Sequence, residues 1–135
     1  MLNTKVLQIP IERDFDAAYR VLKKPENFKL WSPVLNARFE ARGNNGLDWL
    51  VDLPTGTRIL RVSAPNEYGI LDYTVMTEDG SSSRTTALRL LRNEEGCELL
   101  IVFFQQPDQN DEAFASYVEW AKNDFMALKS VVETL

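Results

Sequence analysis

Histidine is absent from this chain of 135 residues. That absence removes histidine-based triads, histidine metal sites and the usual near-neutral general base. Cysteine occurs once, as Cys97, so no internal disulfide can form and a reducing, cytoplasmic setting is expected. No apolar run approaches the ~20 residues of a membrane span, and Met1 to Lys5 lacks the apolar core of a signal peptide. Clustered Lys and Arg are missing as well. With a net charge of −5, that argues against a generic nucleic-acid surface. The glycines never gather into a phosphate-cradling loop. Asp108, Asn110, Asp111 and Glu112 lack calcium-loop spacing, and helix capping explains them better. No metal and no cofactor is expected.

What remains is ordinary globular composition, 44% hydrophobic and 26% charged, sized for one domain over 1–135. The order of its segments is informative. Val6 to Ile11 reads as a strand, with Pro10 suggesting an edge. Asp14 is a good N-cap for a helix through Phe15, Ala18, Tyr19 and Leu22. Pro25 restarts a shorter helical stretch, Glu26 to Leu30, which Trp31-Ser32-Pro33 ends. From Val34 to Gln106 the periodicity is two, and turn signals recur every ten to fourteen residues, predicting six strands joined by hairpins. Strand two, Val34 to Ala41, should put Phe39 and Ala41 inside, which requires an irregular loop at residues 43–46. A last helix should run from near Asp111 to the C-terminus. Its apolar stripe is Phe114, Tyr117, Val118, Ala121, Phe125, Leu128, Val132 and Leu135.

Placing the turns symmetrically sets Leu53 against Gly56, Ala64 against Gly69, Glu78 against Ser83 and Arg92 against Cys97. Asp48, Arg61, Asp72 and Arg89 then form one solvated cross-strand row of alternating charge, which is favourable by ~0.2–1 kcal/mol per pair. On the inner face the rows grade from greasy to polar. Leu47, Val62, Leu71, Leu90 and Leu99 come first, then Trp49, Leu60, Tyr73, Leu88 and Ile101. Val51, Arg58, Val75, Thr86 and Phe103 follow, and Leu53, Gly56, Thr77, Arg84 and Gln105 end the series.

This order resembles the START-like, or SRPBCC, superfamily, and Pro25-Glu26-Asn27-Phe28-Lys29-Leu30-Trp31-Ser32-Pro33 is similar to its short helix ending in Trp-x-Pro. The resemblance covers essentially the whole chain. It implies an α+β helix-grip fold: a seven-stranded curved antiparallel sheet wrapped around a long C-terminal helix, two short helices between strands one and two, and a hydrophobic cavity. Members range from lipid carriers to polyketide cyclase/dehydrases and chaperone regulators, so fold alone does not assign function.

Candidate ligand contacts follow from the inner rows. Arg58 beside Val51, Val75 and Thr86 would need a carboxylate or an anionic or carbonyl-rich ligand, unless it snorkels to the rim. Tyr73 could hydrogen-bond a ligand carbonyl, or merely satisfy a neighbour. Thr86 and Tyr117 are further polar contacts, while Trp49 and Phe103 supply apolar surface. Arg84, Thr77 and Gln105 would rim a mouth, and Cys97 reads as structural. The expected function is binding of a small hydrophobic molecule, lipid or polyketide. The alternatives are a cyclase/dehydrase-like enzyme using Tyr73 or a shifted carboxylate such as Asp124, and a protein-interaction module with a filled cavity.

Overall fold

The computed structural model describes residues 1–30 and 38–135. Among them, seven strands form one antiparallel sheet: β1 (Thr4–Ile11), β2 (Phe39–Ala41), β3 (Asp48–Leu53), β4 (Gly56–Val62), β5 (Tyr73–Met76), β6 (Ser83–Asn93) and β7 (Gly96–Phe104). The spatial order is β1-β7-β6-β5-β4-β3-β2, so β1 and β2 are the edges. Helix α1 (Phe15–Leu22) and a 3₁₀ helix (Pro25–Leu30) follow β1, and α2 (Asp111–Thr134) closes the chain. The expected end at Trp31-Ser32-Pro33 and the expected start of strand two at Val34 lie outside the described residues.

Local chemistry accounts for the helices. The Asp14 carboxylate accepts from the Ala17 N–H at 3.0 Å and starts α1, which buries Phe15, Ala17, Ala18 and Leu22. The Asn110 side chain does the same for α2, accepting from Ala113 N–H at 2.7 Å, with Asp111 and Glu112 in the favourable first turn. Val118, Ala121, Phe125, Leu128 and Val132 are the buried stripe of α2. Leu135 is not part of it: it lies past the helix and is exposed. Ala41 is likewise exposed, because it ends an edge strand, whereas Phe39 packs inward as expected.

The C-terminal turn of α2 also closes the β1 edge. Lys129 Nζ donates to the Pro10 carbonyl at 2.7 Å and to Glu133 at 2.7 Å, and Glu133 in turn accepts the Glu12 N–H at 2.7 Å. Arg13 donates to the Val132 carbonyl at 2.7 Å. These bonds occupy polar groups that an open edge would offer to another chain.

Two hairpins have the expected register. Leu53 faces Gly56, and Arg92 faces Cys97. Two do not. Val62 faces Tyr73 rather than Leu71, and Tyr73 faces Thr86 rather than Leu88. Asn66 explains the first shift. Its side chain donates to the carbonyls of Ala64 (3.0 Å) and Ile70 (2.9 Å) and accepts from the N–H groups of Tyr68 (2.9 Å) and Ile70 (3.1 Å). An Asn organising its own loop this way replaces the ladder bonds of a symmetric hairpin. Gly69 then runs so close to β6 that a Cβ there would sit 2.1 Å from the Leu90 carbonyl oxygen, at a φ of +73°.

The shifts break the expected charge row at two of its three steps. Asp48–Arg61 (2.7 Å) and Asp72–Arg89 (2.8 Å) are ion pairs, but Arg61 faces Thr74 instead of Asp72, and Arg89 faces Ile70 and reaches Asp72 only diagonally. One Asp72 oxygen also accepts the Leu88 N–H at 2.8 Å, standing in for a strand partner where β5 has not yet begun.

Candidate ligand-binding site

The inner face divides into two apolar clusters. The larger joins Ile9, Ile11, Phe15, Leu88, Leu90, Leu99, Ile101 and Phe103 to the buried stripe of α2. The smaller lies on β3 to β5, where Val51 and Leu60 are buried and Phe39, Trp49, Leu53, Val62 and Val75 are only partly buried. Tyr73 packs against both and marks their junction. The α2 backbone runs against β1 and α1, on the larger cluster's side. The inner face of β3–β5 therefore lies beside α2 rather than beneath it, and several of its apolar side chains remain partly accessible.

Polar groups converge where the clusters meet. Tyr73 faces Thr86 across the β5–β6 ladder, and Thr86, 7% exposed, is the one buried polar residue among those described. Burial, together with Tyr117 and Asp124, pushes the Tyr73 phenol up to about 12, so it stays protonated near neutral pH. Phe103 meets Tyr117 edge-on, with ring centroids 5.8 Å apart. The Arg84 guanidinium lies 4.4 Å from the centre of the Tyr117 ring and donates to Gln109 Oε1 at 3.1 Å. Asp124 on α2 is raised above the ordinary carboxyl range by burial.

A separate cavity, lined by Val21, Leu22, Val62, Leu71, Leu88 and Leu128, has a volume of about 20 Å³. That holds roughly one water and falls far below the ~300–1,000 Å³ of ligand sites.

No family model matches the chain, and no curated protein matches it. Solved structures do. A START superfamily protein from Mycobacterium smegmatis superposes with a TM-score of 0.69 at 15% identity, covering 97% of each chain. Ara h 8.0201 gives 0.68 at 15% identity over 100% of each chain. The Aha1 dimer from Colwellia psychrerythraea gives 0.69 at 15% identity over 98% of this chain and 97% of that one. The fold is the START-like helix grip.

Within this START-like fold the expected site residues separate. Tyr73, Thr86, Phe103 and Tyr117 come together at the junction of the clusters. Trp49 lies farther along the inner face, its ring 5.0 Å from that of Phe39. Arg58 does face Val51, but the register shift removes Val75 and Thr86 from its row. Its guanidinium turns back to its own hairpin, donating to the carbonyls of Thr57 (2.9 Å) and Thr55 (3.2 Å), so its head is at the rim. Arg84 moves the other way, from an expected end row to a place facing Val75. Gln109 carried no sequence signal, because its role depends on how the loop before α2 folds back.

Cys97 is not a candidate nucleophile. It is buried, donates to the Arg13 carbonyl at 3.4 Å, and is pushed up to about 11 by burial and by Asp14, Glu98 and Glu133. No described helix is long and apolar enough to cross a membrane.

Proposed function

We propose that this protein binds a small hydrophobic molecule, such as a lipid or polyketide, in a groove between α2 and the inner face of β3–β5. The observation that carries this reading is the partly accessible floor of Trp49, Leu53, Val62 and Val75, bordered by a few convergent polar groups. Concave apolar surface with sparse polar contacts is the general form of a small-molecule site. Trp49 and Phe103 would supply apolar contact, Tyr73, Thr86 and Tyr117 polar contact, and Arg58 would act at the rim. Likeness to a START superfamily protein supports the reading at the level of fold. A single inert thiol fits a reducing, cytoplasmic setting.

Fluorescence titration with anilinonaphthalene sulfonate tests it, comparing the wild type with Val75→Trp, which fills the groove. Saturable binding that is lost in a stably folded Val75→Trp protein is the expected result. Equal binding by both proteins would overturn the reading.

One observation favours a second reading, a cyclase/dehydrase-like enzyme. Asp124 is shifted toward its protonated form and lies close enough to Tyr73 to raise the phenol further. Mass spectrometry of a linear poly-keto thioester incubated with the protein should then show loss of water that Asp124→Asn abolishes. An unchanged thioester excludes this reading and leaves binding intact.

A further inference from the structure

One cross-strand row of the groove carries more than apolar contact. Trp49 faces Leu60, Leu60 faces Val75, and Val75 faces Arg84. The row thus has two apolar residues in its middle and a hydrogen-bond donor at each end. Three interstrand steps of ~4.8 Å separate the ends by ~14 Å.

Neither end has the partner its chemistry calls for. Arg84 rests on the Tyr117 ring and donates to the neutral Gln109 amide. Among the described residues no carboxylate lies within ion-pair distance of it, whereas Arg38, Arg61, Arg89 and Arg92 each have one. A guanidinium held this way keeps its charge and presents the fork that matches a carboxylate. At the other end, the Trp49 indole N–H is closed off from solvent and meets no acceptor. Such an unmade bond is a standing cost that an incoming acceptor recovers.

We propose that the groove selects an elongated amphiphile: a carboxylate head on Arg84, an apolar middle over Val75, and a neutral hydrogen-bond acceptor against Trp49. The proposal rests on the reading that the groove binds hydrophobic molecules, and adds the polarity pattern of its ligand.

Three probes separate the two ends: a medium-chain ω-oxo carboxylate, its methyl ester, and the unsubstituted carboxylate of equal length. Isothermal titration calorimetry on the wild type should show the oxo carboxylate binding about tenfold tighter than either of the others, the scale of one well-made buried bond. Arg84→Gln should erase the preference for acid over ester while keeping that for the oxo group. Trp49→Phe should do the reverse, and Arg84→Lys should restore part of the acid preference. Equal wild-type affinity for acid and ester, or preferences that survive their own variant, would overturn the proposal while leaving the groove a binding site. If none of the three probes binds, the binding reading fails with it.

Discussion

Asn66 holds the register on which the groove depends, so Asn66→Ala is the most instructive single change outside the groove. Its side chain makes two bonds to exposed partners, Ala64 and Tyr68, and two to the partly buried N–H and carbonyl of Ile70. Water can replace the first pair after truncation. The Ile70 pair is the real loss, at ~0.5–1.5 kcal/mol each, or ~1–3 kcal/mol together. The Asn66 N–H is separately bound by the Tyr19 hydroxyl at 2.8 Å, so Tyr19→Phe should cost about 1 kcal/mol and anchors the scale. Urea unfolding with linear extrapolation is the assay: a lower midpoint at unchanged slope is expected. Hydrogen exchange should also speed up at Tyr73 to Met76, the strand this loop positions. A loss under about 0.5 kcal/mol, the range of an unimportant surface change, would refute the assignment of the register to Asn66.

Two ionisable groups give predictions of opposite sign. Glu133 is held below the usual carboxyl range by its bond from Lys129 and then by the Glu12 N–H, against burial. Its contribution is therefore present above the unfolded-state carboxyl range and is lost as pH falls through the depressed folded value. Glu133→Gln should cost about 1 kcal/mol at pH 7 and progressively less toward pH 3, and a pH-independent gap in urea midpoints would contradict this. Asp124 is raised by burial, so the stability linked to its neutral form is present at low pH and is lost as pH rises through the folded value. Asp124→Asn should raise Tm at pH 7 and leave it unchanged at pH 3, and a fall at pH 7 would show that the carboxylate has a stabilising partner.

The parts of this fold legible in the sequence are those decided by neighbours in the chain. Pro54-Thr55-Gly56 and Asn93 to Gly96 enclose turns of two residues, so the strands they join could be registered by counting. The caps Asp14 and Asn110 act on N–H groups three residues away, and the α2 stripe shows directly in its spacing. Pro65-Asn66 misled because a side chain took over backbone bonds, and because Gly69 approaches Leu90, more than twenty residues on. That shift and the separate one at the Asp79-Gly80 hairpin, where Thr77 and Asp79 bond Ser81 and Ser82, are each by an even number of residues, so side chains kept their faces while the rows changed. That is why Tyr73 and Thr86 were read as inward yet not as partners, and why Arg84 was placed at an end row. The turn of Arg58 back onto Thr55 and Thr57 is a rotamer choice that no sequence pattern encodes.

The claim that the groove on β3–β5 is the binding surface is tested most directly by methyl NMR during titration with the ω-oxo carboxylate. Leu53, Val62 and Val75 should shift progressively, while Leu99 and Val132 in the buried cluster at α2 stay in place. Shifts confined to Leu99 and Val132, or to the outer-face methyls of Val6 and Leu91, would contradict the account.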